Sequence, residues 1–259
     1  MESLPIEESL NQIRQEGYNG FEFAVLFSPG PPEEMARKAQ DFELLVIAQI
    51  LSQGTTKQDH KESLLRQIDA AMKAEPRFII SHTGRDFFSF EDNLSLFRTV
   101  QQASEEREIP IIHETHRSRA LFSTVSTMRF LKALPSLRIN ADFSHWCCVH
   151  ETFLEDQPEI IEAAIQRSDH IHARVGFPEG PQVPDPRAPE WKEALDIHLA
   201  WWDTIVEQKK KEGARFCSIT PEFGPVPYVP IEPHTQRPLG DIGEINNYMK
   251  SLLEKRYRE

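Results

Sequence analysis

Hydrophobic positions along the chain fall into two alternating spacings. Short runs rich in β-branched and aromatic residues are followed by longer stretches in which apolar residues recur every three or four positions. The first spacing predicts strands, the second amphipathic helices, and their regular succession predicts a parallel sheet covered by helices. Strands are predicted at 20–25 (GFEFAV), 43–50 (ELLVIAQI), 77–82 (RFIISH), 110–114 (PIIHE), 137–142 (LRINAD), 170–175 (HIHARV) and 216–222 (FCSITPE). Helices are predicted at 6–16, 32–41, 58–74, 90–107, 118–134, 157–167, 189–212 and 241–257. Helix 58–74 shows the period in Leu64, Leu65, Ile68 and Met72, with charged residues on its other side.

At 259 residues the chain is close to the roughly 250 at which a single (β/α)8 barrel is built. The expectation is therefore one α/β domain, a (β/α)8 TIM-type barrel spanning 1–259. Helix 6–16 has only five residues before it, so the barrel's first strand is missing from the chain as given. Closure over seven strands, or a neighbouring element in the gap, are the open alternatives. Two connections are long and proline-rich, 176–188 (GFPEGPQVPDPRA) and 223–240 (FGPVPYVPIEPHTQRPLG). They read as stiff excursions that either cover the surface or wall one side of a pocket at the C-terminal ends of the strands.

Composition narrows the function classes. A formal net charge of −12 speaks against nucleic acid, whose phosphates require clustered Lys and Arg. The one basic run, Lys209-Lys210-Lys211, reads as a solvated helix face. No apolar run reaches the ~18 residues of a membrane span. Met1-Glu2-Ser3-Leu4-Pro5 lacks the basic start and apolar stretch of a signal peptide, and Cys147, Cys148 and Cys217 have neither disulfide-framework nor zinc-ribbon spacing. A soluble protein of a reducing, cytoplasmic compartment is expected, with no membrane or nucleic-acid partner.

The chemistry gathers at strand ends. In IIHETHR (111–117) two isoleucines give way to five polar or charged residues without a glycine. Side chains two apart share a face of a strand, so Ile112 and Glu114 go together, as do Asn140 and Asp142, His170 and His172, and Ser218, Thr220 and Glu222. His145 follows just beyond the end of strand 137–142. Three carboxylates and an imidazole suit Mn²⁺, Mg²⁺ or Co²⁺, with Zn²⁺ also accommodated. A cation also explains how three acidic groups share one cavity. Taken singly, a strand-end Glu or Asp is usually a cap or surface residue; the signal lies in four ligand types at equivalent points of the repeat.

The segments IIHETH (111–116), NADFSHW (140–146), HIHARVG (170–176) and TPEFGP (220–225) resemble the strand ends of the xylose isomerase-like barrel superfamily, the sugar phosphate isomerase/epimerase group. The resemblance runs from about residue 6 onward. It implies Glu114, Asp142, His172 and Glu222 as ligands of one divalent cation, with the second histidine of His170-Ile171-His172 chosen. It implies His145 as a substrate contact, and Glu114 and Glu222 as the acid and base that move a proton next to a carbonyl through a metal-stabilised enediolate. His145 would orient a hydroxyl or stabilise developing oxyanion charge. The implied activity is isomerisation or epimerisation of a small sugar, sugar phosphate or sugar acid. Barrels of this kind often pair, so a homodimer is among the expectations.

His82, interior by parity with Phe78 and Ile80, is placed between substrate contact and a structural hydrogen bond. His116 is a second substrate contact, and Glu114-Thr115-His116 also resembles the dehydroshikimate dehydratase branch, which keeps a metal-dependent lyase as the alternative. Arg174 is a further substrate contact, although the arginine of the ketose epimerases lies farther along its loop. An apurinic-endonuclease-like hydrolase is disfavoured, because the loop 176–188 directly after strand 170–175 holds no Asp-x-His pair; the triplet Asp196-Ile197-His198 falls within the predicted helix 189–212. A non-catalytic sugar-binding barrel is the remaining reading. Trp201 and Trp202 read as packing, Cys147 and Cys148 as unreactive, and Glu22, His234 and Arg237 as polar residues with weak claims on a site. No glycine-rich phosphate loop or dinucleotide fingerprint occurs.

Overall fold

The computed structural model describes residues 5–28 and 30–258. Seven strands are present among them: β1 (Gly20–Ala24), β2 (Leu45–Leu51), β3 (Ile79–His82), β4 (Ile111–Glu114), β5 (Ile139–Ala141), β6 (Ser168–His172) and β7 (Ser218–Thr220). Nine helices accompany them: α1 (Ile6–Gln15), α2 (Pro32–Asp41), α3 (Lys57–Met72), α4 (Phe90–Arg107), α5 (Thr124–Ala133), α6 (Ser144–His150), α7 (Pro158–Ile165), α8 (Lys192–Lys211) and α9 (Ile242–Tyr257). The chain divides into two compact units. One runs to Glu114 and includes Ser118–Ala120; the other comprises Thr115–Arg117 and everything from Leu121.

In the first unit β1, β2, β3 and β4 pair in parallel in chain order. Their alternation separates two apolar layers. Val46, Ala48, Ile50, Ile79 and Ile111 face Leu64, Ile68 and Ala71 of α3 and Leu96 and Val100 of α4. Each such buried aliphatic side chain contributes about 1.5–3 kcal/mol. The opposite face packs Phe78, Ile80 and Ile112 against Ile47, so the same parity directs Glu22, Gln49, His82 and Glu114 to that face. The helices start where their caps dictate. Thr56 and Asp59 form a reciprocal capping box at α3, and Ser89 caps α4. The hydrogen bonds that Asp59 accepts from the Thr56 backbone, then from the Thr56 hydroxyl and the Thr55 backbone, hold its carboxyl down at about 2.

In the second unit β5, β6 and β7 pair in parallel. Ile139, Ala141 and Ile171 are fully buried, and alternation gives Asn140, His170 and His172 to the other face. Trp202, predicted as packing, is buried on α8. Trp201 lies edge-on to Phe143, with ring centroids 5.7 Å apart. Lys209, by contrast, is not solvated: its ammonium reaches Asp169 at 2.6 Å and Glu212 at 2.8 Å while its stem is buried. The two proline-rich loops are tied to one another. Gln182 donates to the carbonyl of Gly224 at 3.1 Å and accepts from its N–H at 2.8 Å, and Phe177 and Gly180 exchange backbone hydrogen bonds.

The strands at the site are shorter than predicted. Asp142 lies one residue past β5, Arg174 two past β6 and Glu222 two past β7, because each strand stops where its polar end begins to hydrogen-bond other groups. Helix α5 starts at Thr124, not 118; the residues before it form a loop that ends at the Ser123 cap. Helix α6 was not anticipated, since its seven residues, SHWCCVH, offer two turns at most and no apolar stripe.

Gly176 is needed for a close approach. A Cβ there would come within 2.7 Å of the Cα and carbonyl oxygen of Ser144, backbone atoms that cannot swing aside. Gly176→Ala is therefore expected to destabilise the protein by about 1–3 kcal/mol through overpacking, read as a lower midpoint in urea.

Candidate metal and substrate site

In the first unit the interior face of the sheet is polar at its C-terminal end. His82 Nε2 lies 3.2 Å from Glu114 Oε2, both buried, and Gln49 donates to Glu22 at 2.6 Å. His82, placed earlier between substrate contact and structural role, thus adjoins a predicted ligand.

The second unit gathers the other predicted residues. Thr115, the residue after Glu114, bonds the β5 end twice over: its N–H reaches Asn140 O at 3.3 Å and its hydroxyl donates to Asp142 O at 2.8 Å. The N–H of Asp142 returns to the Thr115 hydroxyl at 2.9 Å. The carboxylate of Asp142 is thereby fixed, with Oδ1 accepting from the Ser144 N–H at 3.2 Å and from the Ser144 hydroxyl. Because α6 starts at Ser144, its first turn positions both the group that orients Asp142 and His145, whose Nε2 is 3.5 Å from Asp142 Oδ2.

His172 Nδ1 lies 2.8 Å from Glu222 Oε2. Asp142, His172 and Glu222 offer ligand atoms within 4.8 Å of one another, the spacing a single small cation can span. The preceding histidine has other work: His170 Nδ1 is 2.7 Å from the Ser218 hydroxyl and Nε2 3.2 Å from that of Thr220. The two histidines thus differ in their partners.

Arg174 sits among the carboxylates. Predicted as a substrate contact, it is almost fully buried and its Nη2 pairs with Asp142 Oδ2, lies 3.3 Å from Glu222 Oε2, and donates to His145 Nε2 at 2.8 Å. A histidine that accepts at Nε2 carries its proton on Nδ1. Arg174 therefore compensates the carboxylates. The donor set itself, carboxylate oxygens with one imidazole, fits a hard or borderline divalent cation.

Around this centre stand rings. His116 lies tilted against His145, with centroids 3.9 Å apart, and its Nε2 is 3.4 Å from the Tyr228 hydroxyl. The guanidinium carbons of Arg174 and Arg117 lie 4.6 and 5.7 Å from the centroid of Tyr228. Burial raises the Tyr228 phenol above its ordinary range, against the pull of Arg174. Sequence reasoning missed Tyr228 and Arg117, since a tyrosine in a proline-rich loop carries no periodic signal. Cys147 is unreactive as expected: burial, aided by Asp142, pushes its thiol far up. His234 and Arg237 are exposed.

No protein-family model and no curated protein matches the chain. Solved structures do. The D-allulose 3-epimerase from Methylomonas sp. superposes with a TM-score of 0.65 at 14% identity, covering 96% of this chain and 91% of that one. The probable 3-DHS dehydratase AsbF from Bacillus anthracis gives 0.63 at 14%, covering 98% and 95%. Endonuclease IV from Thermus thermophilus gives 0.60 at 12%, covering 98% and 96%. Proteins described as xylose isomerase-like are also among the matches, one of them in complex with magnesium. The chain has the xylose isomerase-like TIM-barrel fold. Three activities at equal likeness show that this barrel fold alone leaves the reaction open, and its site must supply the argument.

His198 shows how tightly the barrel's outer layer holds the long loop. Its Nδ1 faces Ala194 O at 2.8 Å, and its Nε2 accepts from the Gly176 N–H at 3.2 Å. Burial lowers its pKa from 6.5 to about 4, partly offset by the Ala194 carbonyl. A depressed folded pKa means stability present above pH 6.5 and lost as pH falls toward 4. At pH 5 the loss relative to pH 7 is about 2 kcal/mol. Urea midpoints at the two pH values, compared with those of His198→Gln, should show a shallower pH dependence in the variant.

Proposed function

We propose that the chain is a divalent-metal-dependent isomerase or epimerase acting on a small sugar, sugar phosphate or sugar acid. The observation that carries this reading is the convergence of buried Asp142 and His172 with partly exposed Glu222 within 4.8 Å. Glu114 is the proposed fourth ligand. It is one peptide bond from Thr115, which holds the backbone of Asn140 and Asp142, and strand parity sends its side chain to the polar face that carries His82. A bound cation supplies Lewis acidity that polarises the substrate carbonyl and its neighbouring hydroxyl.

The protein's own groups then move the proton. One of Glu114 and Glu222 takes it from the carbon beside the carbonyl and the other returns it. His145, with its proton placed on Nδ1 by the bond from Arg174, orients a substrate hydroxyl. His82, against Glu114, holds that carboxylate in place, and His116 with Tyr228 contacts the rest of the substrate. Proton removal beside a carbonyl is also the first step of a dehydration, so a lyase remains the second reading, favoured by the likeness to the AsbF dehydratase and by Glu114-Thr115-His116. A nuclease is supported less, given the net charge of −12.

Metal analysis of the purified protein, followed by a panel of ketoses, inososes and cyclic hydroxy acids with Mn²⁺, tests the proposal. An isomerase or epimerase gives products of unchanged mass, whereas a lyase gives products that have lost one water. Absence of turnover across the panel together with absence of a bound cation would overturn it.

A further inference from the structure

In a chain with 41 acidic and 29 basic residues, arginines find carboxylates easily. Arg138 pairs with Asp169, Arg107 with Asp69 and Arg256 with Asp203, all below 3 Å. Arg85 and Arg119, both half-buried, do not. Among the described residues, neither Arg85 nor Arg119 forms an ion pair, and the Nε of each is buried without a hydrogen-bond partner. A buried donor left unmade costs more than a bond made to a neutral group returns, and an external acceptor at either arginine would offset that cost.

Their placement is constrained. Arg85 sits in the loop after β3 and Arg119 in the loop after β4. The Ser52 hydroxyl accepts from the Gly84 N–H at 2.8 Å, and the Ala120 N–H donates to Thr83 O at 3.0 Å. Asn93 clamps the Arg85 backbone from both sides, accepting from its N–H at 3.2 Å and donating to its carbonyl at 2.8 Å. The Arg85 guanidinium carbon lies 5.0 Å from the centroid of the exposed Phe87 ring, a contact that leaves its in-plane donors available. Arg119 Nη1 donates to Ser52 O at 2.9 Å. Three strand-end loops are thus stapled with two guanidinium groups among them. Burial is the main cause that lowers Arg119, and the like charge of Arg85 comes next, ahead of the opposing pull of Glu114 and Asp86. Both guanidinium groups thus belong to the strand ends that carry His82 and Glu114.

We propose that Arg85 and Arg119 form an oxyanion subsite for a carboxylate or phosphate group. A guanidinium presents planar, paired donors that match either group. The subsite stands on the two arginines alone; that its anion belongs to the substrate rests on the function proposed above, and it makes that substrate a sugar acid or sugar phosphate, not a neutral sugar.

The test is titration calorimetry on the full-length protein treated with a chelator, at constant ionic strength, with inorganic phosphate, D-gluconate and fructose. At least one anion should bind, fructose should not, and the tighter of the two tells phosphate from carboxylate recognition. Arg85→Gln and Arg119→Gln should each weaken that anion about tenfold or more, and Arg119→Lys should retain part of the affinity. Should Arg119→Gln fail to fold for want of its bond to Ser52, Arg85→Gln decides, since its side chain holds no backbone group. Anion affinity no greater than that for fructose, or undiminished in folded variants, overturns the subsite. Because the chelator removes metal, this outcome is independent of cation binding: a protein that binds cation but no anion loses only the subsite, and one that binds anion but no cation loses only the proposed reaction.

Discussion

Glu222→Gln is expected to lower kcat by about 10²–10⁴-fold on whichever substrate turns over, the usual contribution of a positioned acid or base. The substitution keeps the shape and one oxygen donor but removes the charge proposed to take or return the proton. Glu222 is partly exposed, with 28% of its side chain accessible, and pairs with His172 and Arg174, so folding should be affected much less than turnover. Cation content and substrate affinity, measured on the same preparation, separate catalysis from binding. A sugar-binding barrel without catalysis predicts unaltered affinity and no turnover in either protein. Glu114→Gln should behave similarly in kcat. Variants that both retain turnover within a few-fold of the parent would remove the two carboxylates from the proposed proton transfer.

Asp142→Asn has the largest expected effect on stability. Asp142 is wholly inaccessible, and it carries the closest contact of the buried Arg174 guanidinium. Breaking a buried pair from one side costs about 3–5 kcal/mol, because the remaining charge is left poorly compensated. For a chain of this size that corresponds to a melting point lower by roughly 6–20 °C. The double variant Asp142→Asn with Arg174→Gln should recover part of the loss, since neither charge is then buried alone. Divalent cation is expected to raise the melting point of the parent by binding the folded form, and should fail to do so in Asp142→Asn. An unchanged melting point in that variant would mean that the pair contributes nothing.

The candidate site was legible to different degrees. Glu114, Asp142, His172 and Glu222 stood out because strand ends recur in the repeat, and alternation alone puts Asp142 with Asn140 and His172 with His170. Which histidine should serve as ligand was implied only by resemblance; the hydroxyls of Ser218 and Thr220, 48 and 50 residues from His170, engage it and leave His172 beside Glu222. Arg174 was legible as a site residue, yet not as the partner of Asp142. Tyr228 and Arg117 were not legible at all, and Arg85 and Arg119 looked like two more loop arginines.

By itself the sequence determined the strand and helix succession apart from α6, since periods of two and of 3.6 are local properties of the backbone that apolar patterning records directly. It also determined which face of each strand carries ligands, because that face follows from parity. Only the tertiary structure decided the partners. Whether an arginine meets a carboxylate, as Arg174 does, or is held with its Nε unmet, as Arg85 and Arg119 are, depends on contacts between residues far apart in the chain, whose distances no local spacing encodes.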